Sequence, residues 1–420
     1  MKPTSYSFVS LVASALVASP VFAQDTPTDA PTEPGAAPSE PAATPAPVPP
    51  PEPTSTTPKA DVIVEPADAK IPFVPWSTTR LAIDLELVTQ GRYTSKTSGN
   101  QSELRLDRGE LGARVGLGDH AAAELRLEAI RSASDGGALG IDGDSTVVRV
   151  KYANVGGSVD LGPLILDSAL GFVGDPWIRT IEAGYTLKPL SRTGSERLLG
   201  WPTSDLAALV RGTVGPARIS VNVGNGEGQR YPERNTGKTT TAVVEVVVAN
   251  TDAIRASLSG MFRDGSVGVA RVRDRRAGGG ANVQTPWARG GVEVVRAWGI
   301  GDRGDAEGLE IGAWADARVV DKLHLGARVA TLGYVGGGRA STFGGAIAIE
   351  PWRSNSDASA DERPPRTKSR VRRHDARVRL WLALDRVTTS GAAMPLPGAD
   401  GGDATIVLLV ASASAPFLVD

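Results

Sequence analysis

The sequence has no cysteine, three histidines and few aromatic residues, 5% of 420. Without cysteine there is no disulfide scaffold, no thiolate metal centre and no cysteine nucleophile. His120, His324 and His374 lie far apart in sequence, so no pair has helical or finger ligand spacing and a histidine metal site is not expected. Neither charge sign dominates. Lys and Arg number 45 against 47 Asp and Glu, and the pI is near 6.1, which gives no general attraction for nucleic acid. No run approaches the ~20 apolar residues of a spanning helix. What is plentiful is glycine, 49 residues, and proline, 30. Such a chain suits many tight turns and poorly suits a helical bundle.

The chain opens on a targeting pattern. Lys2 is the only charge before Asp25, residues 8–18 are apolar or small, and Val21, Phe22 and Ala23 offer a small-x-small cleavage site. A cleaved secretory signal over 1–23 is expected, in a protein exported by a Gram-negative bacterium. Proline supplies 12 of the 35 residues from 24 to 58. That composition cannot bury a core and predicts an extended, disordered periplasmic linker over 24–78. Its acidic residues outnumber its lysines, and an approach to the cell wall is one use for it; a solvated spacer is the simpler one.

From residue 79 to 420 the pattern changes to period two. Leu81, Ile83, Leu85 and Leu87 alternate with Ala82, Asp84 and Glu86, and Leu125 and Leu127 alternate with Glu124, Arg126 and Glu128. The same holds for Ile219, Val221 and Val223, for Leu309, Ile311 and Ala313, and for Val378, Leu380, Leu382 and Leu384. Each strand has one apolar and one charged face. Many of these patterns run to the ~9–11 residues that a tilted strand needs to cross a bilayer. An exported chain of long strands without a spanning helix predicts a closed antiparallel transmembrane β-barrel, its apolar face on outer-membrane lipid and its charged face on a water-filled lumen.

Turn signals order the strands. Short connections are expected at Gly118 to His120, Gly156 and Gly157, Gly215 and Pro216, Asn250 to Asp252, and Asp321 and Lys322. Longer ones are expected at 91–102, 133–144, 173–204, 225–239, 264–278, 300–307 and 336–340. Alternating short and long connections predict about 16 strands with both barrel ends on the periplasmic side. Segment 353–375 falls on the short-turn side despite its length. Tyr93, Phe172, Phe262, Trp298, Tyr334, Phe343 and Trp352 stand near strand ends, where interfacial anchoring places aromatics.

Candidate functional residues are basic. Segment 173–204 is the longest break between strands and carries Arg179, Lys188, Arg192 and Arg197. Folded inward, it would form a cationic pore constriction that favours small anions. By alternation, Arg105, Arg114, Arg126, Arg218, Arg255, Arg328, Arg377 and Arg379 are expected to line the pore, opposite acids such as Asp84, Glu86, Glu124 and Glu128. Catalytic patterns are missing. Gly237, Lys238 and Thr239 resemble half of a phosphate loop, but Pro232 occupies the early glycine position and a strand is expected to follow. Asp135, Asp142 and Asp144 share one loop and read as solvated acids rather than a metal site. No enzyme, cofactor or metal is expected.

The run from 102 to 129 (SELRLDRGELGARVGLGDHAAAELRLEA) resembles the opening hairpin of the phosphate-selective porin O/P family. Residues 205–228 look like that family's strand, short turn and strand ending near Asn-Gly, and 308–332 are similar to its late hairpin. The resemblance implies a 16-stranded porin, usually a homotrimer, with lumenal Arg and Lys guiding anions. Lys188 is the only lysine in the long loop, a departure from a lysine-rich constriction. Two functions are therefore expected for test: passive diffusion of small hydrophilic solutes or ions with weak anion preference, or a non-conducting outer-membrane structural or surface-attachment protein.

Overall fold

The computed structural model describes residues 81–419 except 97–98, 118–119, 133–144, 227, 229–236, 268–271, 301–302, 354–370, 374–376 and 391–402. The expected signal and linker lie outside the described residues, as do Asp135, Asp142 and Asp144. Alternating polar and apolar residues pair into sixteen long antiparallel strands that close on themselves. They are β1 (Leu81–Lys96), β2 (Gly99–Gly116), β3 (Ala121–Ser132), β4 (Ser145–Asp160), β5 (Leu164–Gly174), β6 (Ser204–Val214), β7 (Ala217–Gly224) and β8 (Thr239–Asn250). They continue as β9 (Arg255–Asp264), β10 (Arg275–Gln284), β11 (Ala288–Ile300), β12 (Arg303–Val320), β13 (Leu323–Tyr334), β14 (Arg339–Arg353), β15 (Arg377–Ser390) and β16 (Ala404–Val419). Each long strand pairs with its neighbour in sequence, and β16 returns to β1 with Leu81 opposite Val419. Closure satisfies the backbone groups that an open edge would leave unpaired in lipid.

The two faces are inverted relative to a water-soluble protein. Leu85 and Leu111 are 47% and 48% exposed on the outer wall, whereas Glu110 and Arg126 are buried inside. An apolar exterior of this extent marks a membrane-facing surface. Polarity did not mark strand ends. The long connections expected at 91–102 and 300–307 are instead paired backbone: β1 runs to Lys96, β2 begins at Gly99, β11 ends at Ile300 and β12 begins at Arg303. The ladder continues beyond the apolar band, because strand pairing does not require apolar side chains. Gly156 and Gly157 are not a turn either. They lie within β4, opposite Ala122 and Ala121, and a Cβ on Gly156 would stand 2.5 Å from the Ser168 carbonyl oxygen. Glycine there permits close approach of β5; the turn falls after Asp160, where Gly162 takes φ 82°. Segment 353–375 does connect β14 to β15 on the short-turn side. Its described part, Val371–Arg373, adds a short strand against the end of β16.

The connection between β5 and β6 carries the only helices among the described residues, α1 (Pro176–Glu182) and α2 (Gly194–Leu198). Asp175 caps α1, accepting from the Trp177 and Ile178 amides, with Pro176 at the first helical position. Thr193 and Glu196 form a reciprocal capping box on α2. These caps satisfy backbone groups that a buried helix end would otherwise leave unpaired.

Candidate functional site

The connection between β5 and β6 folds into the barrel. Its apolar residues Trp177, Ile178, Ile181, Tyr185, Leu187, Leu198, Leu199 and Trp201 are all buried. They form one core with inward-facing wall residues Val295, Trp314, Leu332, Ala348, Trp381 and Val410. Tyr185 packs edge-on to Trp314 at 5.4 Å, and its hydroxyl donates to the Arg192 carbonyl. Burial of so much apolar surface holds the loop in the lumen. On the β11–β16 side a packed apolar core thus occupies lumen where the alternation predicts water.

A charged clamp fixes the loop's root. The Arg263 guanidinium on β9 reaches Asp175 at 3.3 Å and Asp274 at 2.7 Å. Arg276 on β10 reaches Asp274 at 2.8 Å. Both guanidiniums stack on the Trp201 ring, 5.5 and 4.5 Å from its centroid. Burial pushes the Asp175 carboxyl above its ordinary range, against the pull of Arg263. Burial also raises Asp274, but Arg263 and Arg276 together outweigh it and hold its carboxyl below that range.

The wall made by β1–β4 is an ion-pair lattice. Arg126 contacts Asp84 at 2.7 Å and Glu110 at 3.0 Å; Lys151 contacts Glu110 at 2.5 Å and Glu128 at 3.4 Å. Arg149 pairs with Glu128 and Arg108 with Glu86, each at 2.5 Å. A bulge makes this possible. The register passes from Arg126 opposite Tyr152 to Leu127 opposite Val150. Lys151 is the extra residue, so Lys151 and Tyr152 both turn inward and are buried. Acids and bases on this wall cancel one another at contact distance.

The β6–β11 wall is different. Between it and α1 lies a cavity of about 140 Å³ lined by Arg179, Arg211, Arg218, Arg255 and Arg289 with Glu245 as its one carboxylate. Arg218 pairs with Glu245 at 3.3 Å, and Arg211 donates to the Ser220 hydroxyl. Gln284 stands opposite both Arg255 and Arg289 in the ladder, which brings those two arginines into one row. Five guanidiniums against one carboxylate make this the electropositive side of the lumen.

The four loop cations separate in space. Arg179 reaches the cavity, stacks 4.4 Å over the Tyr152 ring and lies 3.7 Å from Glu124. Lys188 pairs with Glu182, and although burial lowers its pKa, Glu182 and Glu110 raise it further. Arg197 donates to Ser191 and lies 3.9 Å from Asp385; burial and the neighbouring Arg328 push its guanidinium down to about 10. Arg192 is exposed. Of the wall arginines named from alternation, Arg218 and Arg255 line the cavity. Arg114 and Arg126 belong to the β1–β4 wall. Arg328 pairs with Asp385 at 2.5 Å and Arg379 with Glu350 at 2.9 Å. Arg377 is buried at the start of β15. Arg105 lies on β2 opposite Gln90, and its side chain is outside the described ones. Arg211, Arg289 and Lys151 are additions. Arg211 continues the inward set Asp205 and Ala207 and was readable by alternation. Arg289 precedes Gly290 and Gly291 and had no alternation to read, and Lys151 is reached only through the bulge.

Closed strands, an apolar exterior, a charged interior and an inward loop define a porin-like transmembrane β-barrel. No protein family and no curated protein matches the sequence. Among solved structures, the anion-selective porin from Comamonas acidovorans is similar at 14% identity and a TM-score of 0.53, over 80% of this chain and 100% of that one. The trimer form of OmpT, an outer membrane protein of Vibrio cholerae, is similar at 14% identity and a TM-score of 0.47, over 79% of this chain and 99% of that one. OpdK of Pseudomonas aeruginosa, also an outer membrane protein, is similar at 11% identity and a TM-score of 0.43, over 81% and 99%. The likeness to the Comamonas structure is one of fold.

Proposed function

We propose that the chain is an outer-membrane porin that passes small hydrophilic solutes or ions by diffusion, with a weak preference for anions. The observation that carries this reading is the arginine-lined cavity between α1 and the β6–β11 wall, five guanidiniums facing one carboxylate. Most acids of β1–β4 pair with Arg or Lys of that wall; Glu124 instead lies 3.7 Å from Arg179 and offsets part of the cavity's positive charge. Remaining fields are screened within ~8–10 Å by salt, so cations are disfavoured and not excluded. Phosphate is one anion of suitable charge, in line with the resemblance of the strand patterns to the O/P porins. Export by a signal over 1–23, a periplasmic linker over 24–78 and trimer assembly belong to the same reading.

A second reading has its own support. The apolar core between the loop and the β11–β16 wall fills lumen that a diffusion pore leaves wet, and favours a non-conducting barrel. Planar-bilayer recording of the purified, heat-modifiable protein separates the two. Stepwise conductance is expected for the porin; its absence in folded protein supports the closed barrel.

A further inference from the structure

A second buried site stands apart from the arginine cavity. Glu293 on β11 and Glu310 on β12 both point into the lumen and are 0% exposed. Glu293 accepts from the Ser195 hydroxyl at 2.6 Å and from the Ser195 amide at 3.2 Å. Neither oxygen of Glu310 has a hydrogen-bond partner, and among the described residues its neighbouring charge is Glu293 itself. The nearest further carboxylate, Glu196, is occupied by Thr193 in the capping box. Glycines make the room. A Cβ on Gly194 would collide with Glu310 Oε1 and lie 2.9 Å from Glu293 Oε1; a Cβ on Gly312 would lie 2.9 and 3.1 Å from the same two oxygens. The two Oε1 atoms therefore face each other no more than about 5 Å apart, the span of two oxygens that ligate one Ca²⁺ at about 2.3–2.6 Å each.

Two carboxylates taken out of water without a counter-charge are costly. Other buried carboxylates here meet Arg or Lys, as Asp385 and Glu350 do, His324, as Asp316 does, or hydrogen-bond donors, as Asp205 and Glu196 do. Glu310 meets none of these among the described residues. We infer that Glu293, Glu310 and the Ser195 hydroxyl form a Ca²⁺ site that fastens the inward loop to the barrel wall. All donors are hard oxygens. They come from three separate segments, and adjustable geometry of that kind suits Ca²⁺ better than Mg²⁺, which holds its waters and requires a near-ideal octahedron. The ion neutralises the pair and ties α2 to β11 and β12, next in strand order to β9 and β10, which carry the Arg263 clamp.

Tb³⁺ substitutes for Ca²⁺ as a luminescent probe, and the Trp177 indole donates to the Ser195 hydroxyl at 3.3 Å, close enough to sensitise a bound lanthanide. In the refolded full chain, excitation of tryptophan should give saturable Tb³⁺ emission that Ca²⁺ displaces, and Ca²⁺ should raise the unfolding temperature relative to chelator. Glu310→Gln should weaken Ca²⁺ affinity roughly tenfold or more and remove the stabilisation by Ca²⁺. Glu293→Gln gives the same readout should Glu310→Gln not fold. Wild-type protein with no saturable emission, or with identical stability in Ca²⁺ and chelator, overturns the inference. So does an unchanged Ca²⁺ affinity in either variant, which would place the ion elsewhere. Stabilisation by acid alone, insensitive to Ca²⁺, would assign a shared proton to the pair and also overturn it.

Discussion

Arg263 and Asp175 lie 88 positions apart in sequence and 3.3 Å apart in space, and that contact joins the inward loop to the barrel wall. Asp175 also caps α1, so one carboxylate sets both the helix start and its attachment. Arg263→Ala leaves Asp175 and Asp274 buried without their shared partner. Removing one member of a buried ion pair costs ~3–5 kcal/mol. The expected outcome is a lower unfolding temperature and faster protease cleavage within 175–203 than in wild type. Unchanged cleavage would mean that the apolar core alone holds the loop.

The clamp carries a pH dependence whose sign follows from its two acids. Asp274 is held below the ordinary carboxylate range by Arg263 and Arg276, against burial. Its stabilising charge is present above the unfolded value and is lost as pH falls through the lower folded one. Asp175 is pushed up by burial and so gains as it takes a proton. Loss of loop anchoring in acid, below a pH of about 4, is therefore assigned to Asp274. Asp274→Asn should lower stability at neutral pH and flatten its fall between neutrality and acid. Thermal unfolding across that range measures both.

Lys151 offers a test of the bulge. It bridges Glu110 and Glu128 in a wall where charges cancel pairwise. Lys151→Met should destabilise by ~3 kcal/mol, because it leaves buried carboxylate charge short of a partner. Adding Glu128→Gln should recover part of the loss, and a double-mutant cycle should show coupling of ~0.5–3 kcal/mol between the two positions. Strict additivity would contradict the lattice.

The barrel was legible because lipid inverts the usual pattern while preserving its period. Leu85 and Leu87 against Asp84 and Glu86 give strand and facing together. The inward course of 173–204 was legible in part. Its cations drew attention, but the stronger signals were Trp177, Ile178, Ile181, Leu198 and Trp201, apolar residues that a solvated loop would not keep, and the Thr193 and Glu196 capping box. Which cations meet was not legible. Arg179 shares a cavity with Arg211 and Arg289 only because the loop folds inward, and Lys151 faces the lumen only because a bulge shifts the phase. The ends of β1 and β11 were missed because polar residues mark the end of the bilayer and not the end of hydrogen bonding.

The wall arginines, more than the loop's outer cations, carry the proposed selectivity. Arg192 is exposed and Arg197 is tied to Ser191 beside Asp385. Reversing those two should shift selectivity less than reversing Arg218 and Arg255, which line the cavity. Each charge is worth ~1 kcal/mol at 4 Å in a water-like dielectric, enough for a several-fold change in permeability ratio.

The central claim is most directly tested by the reversal potential of single channels in a KCl gradient, for wild type and for Arg218→Glu with Arg255→Glu. Weak anion preference in wild type, moving to cation preference in the double variant at similar conductance, is the predicted result. Conducting channels whose selectivity is unchanged by the two reversals would contradict it.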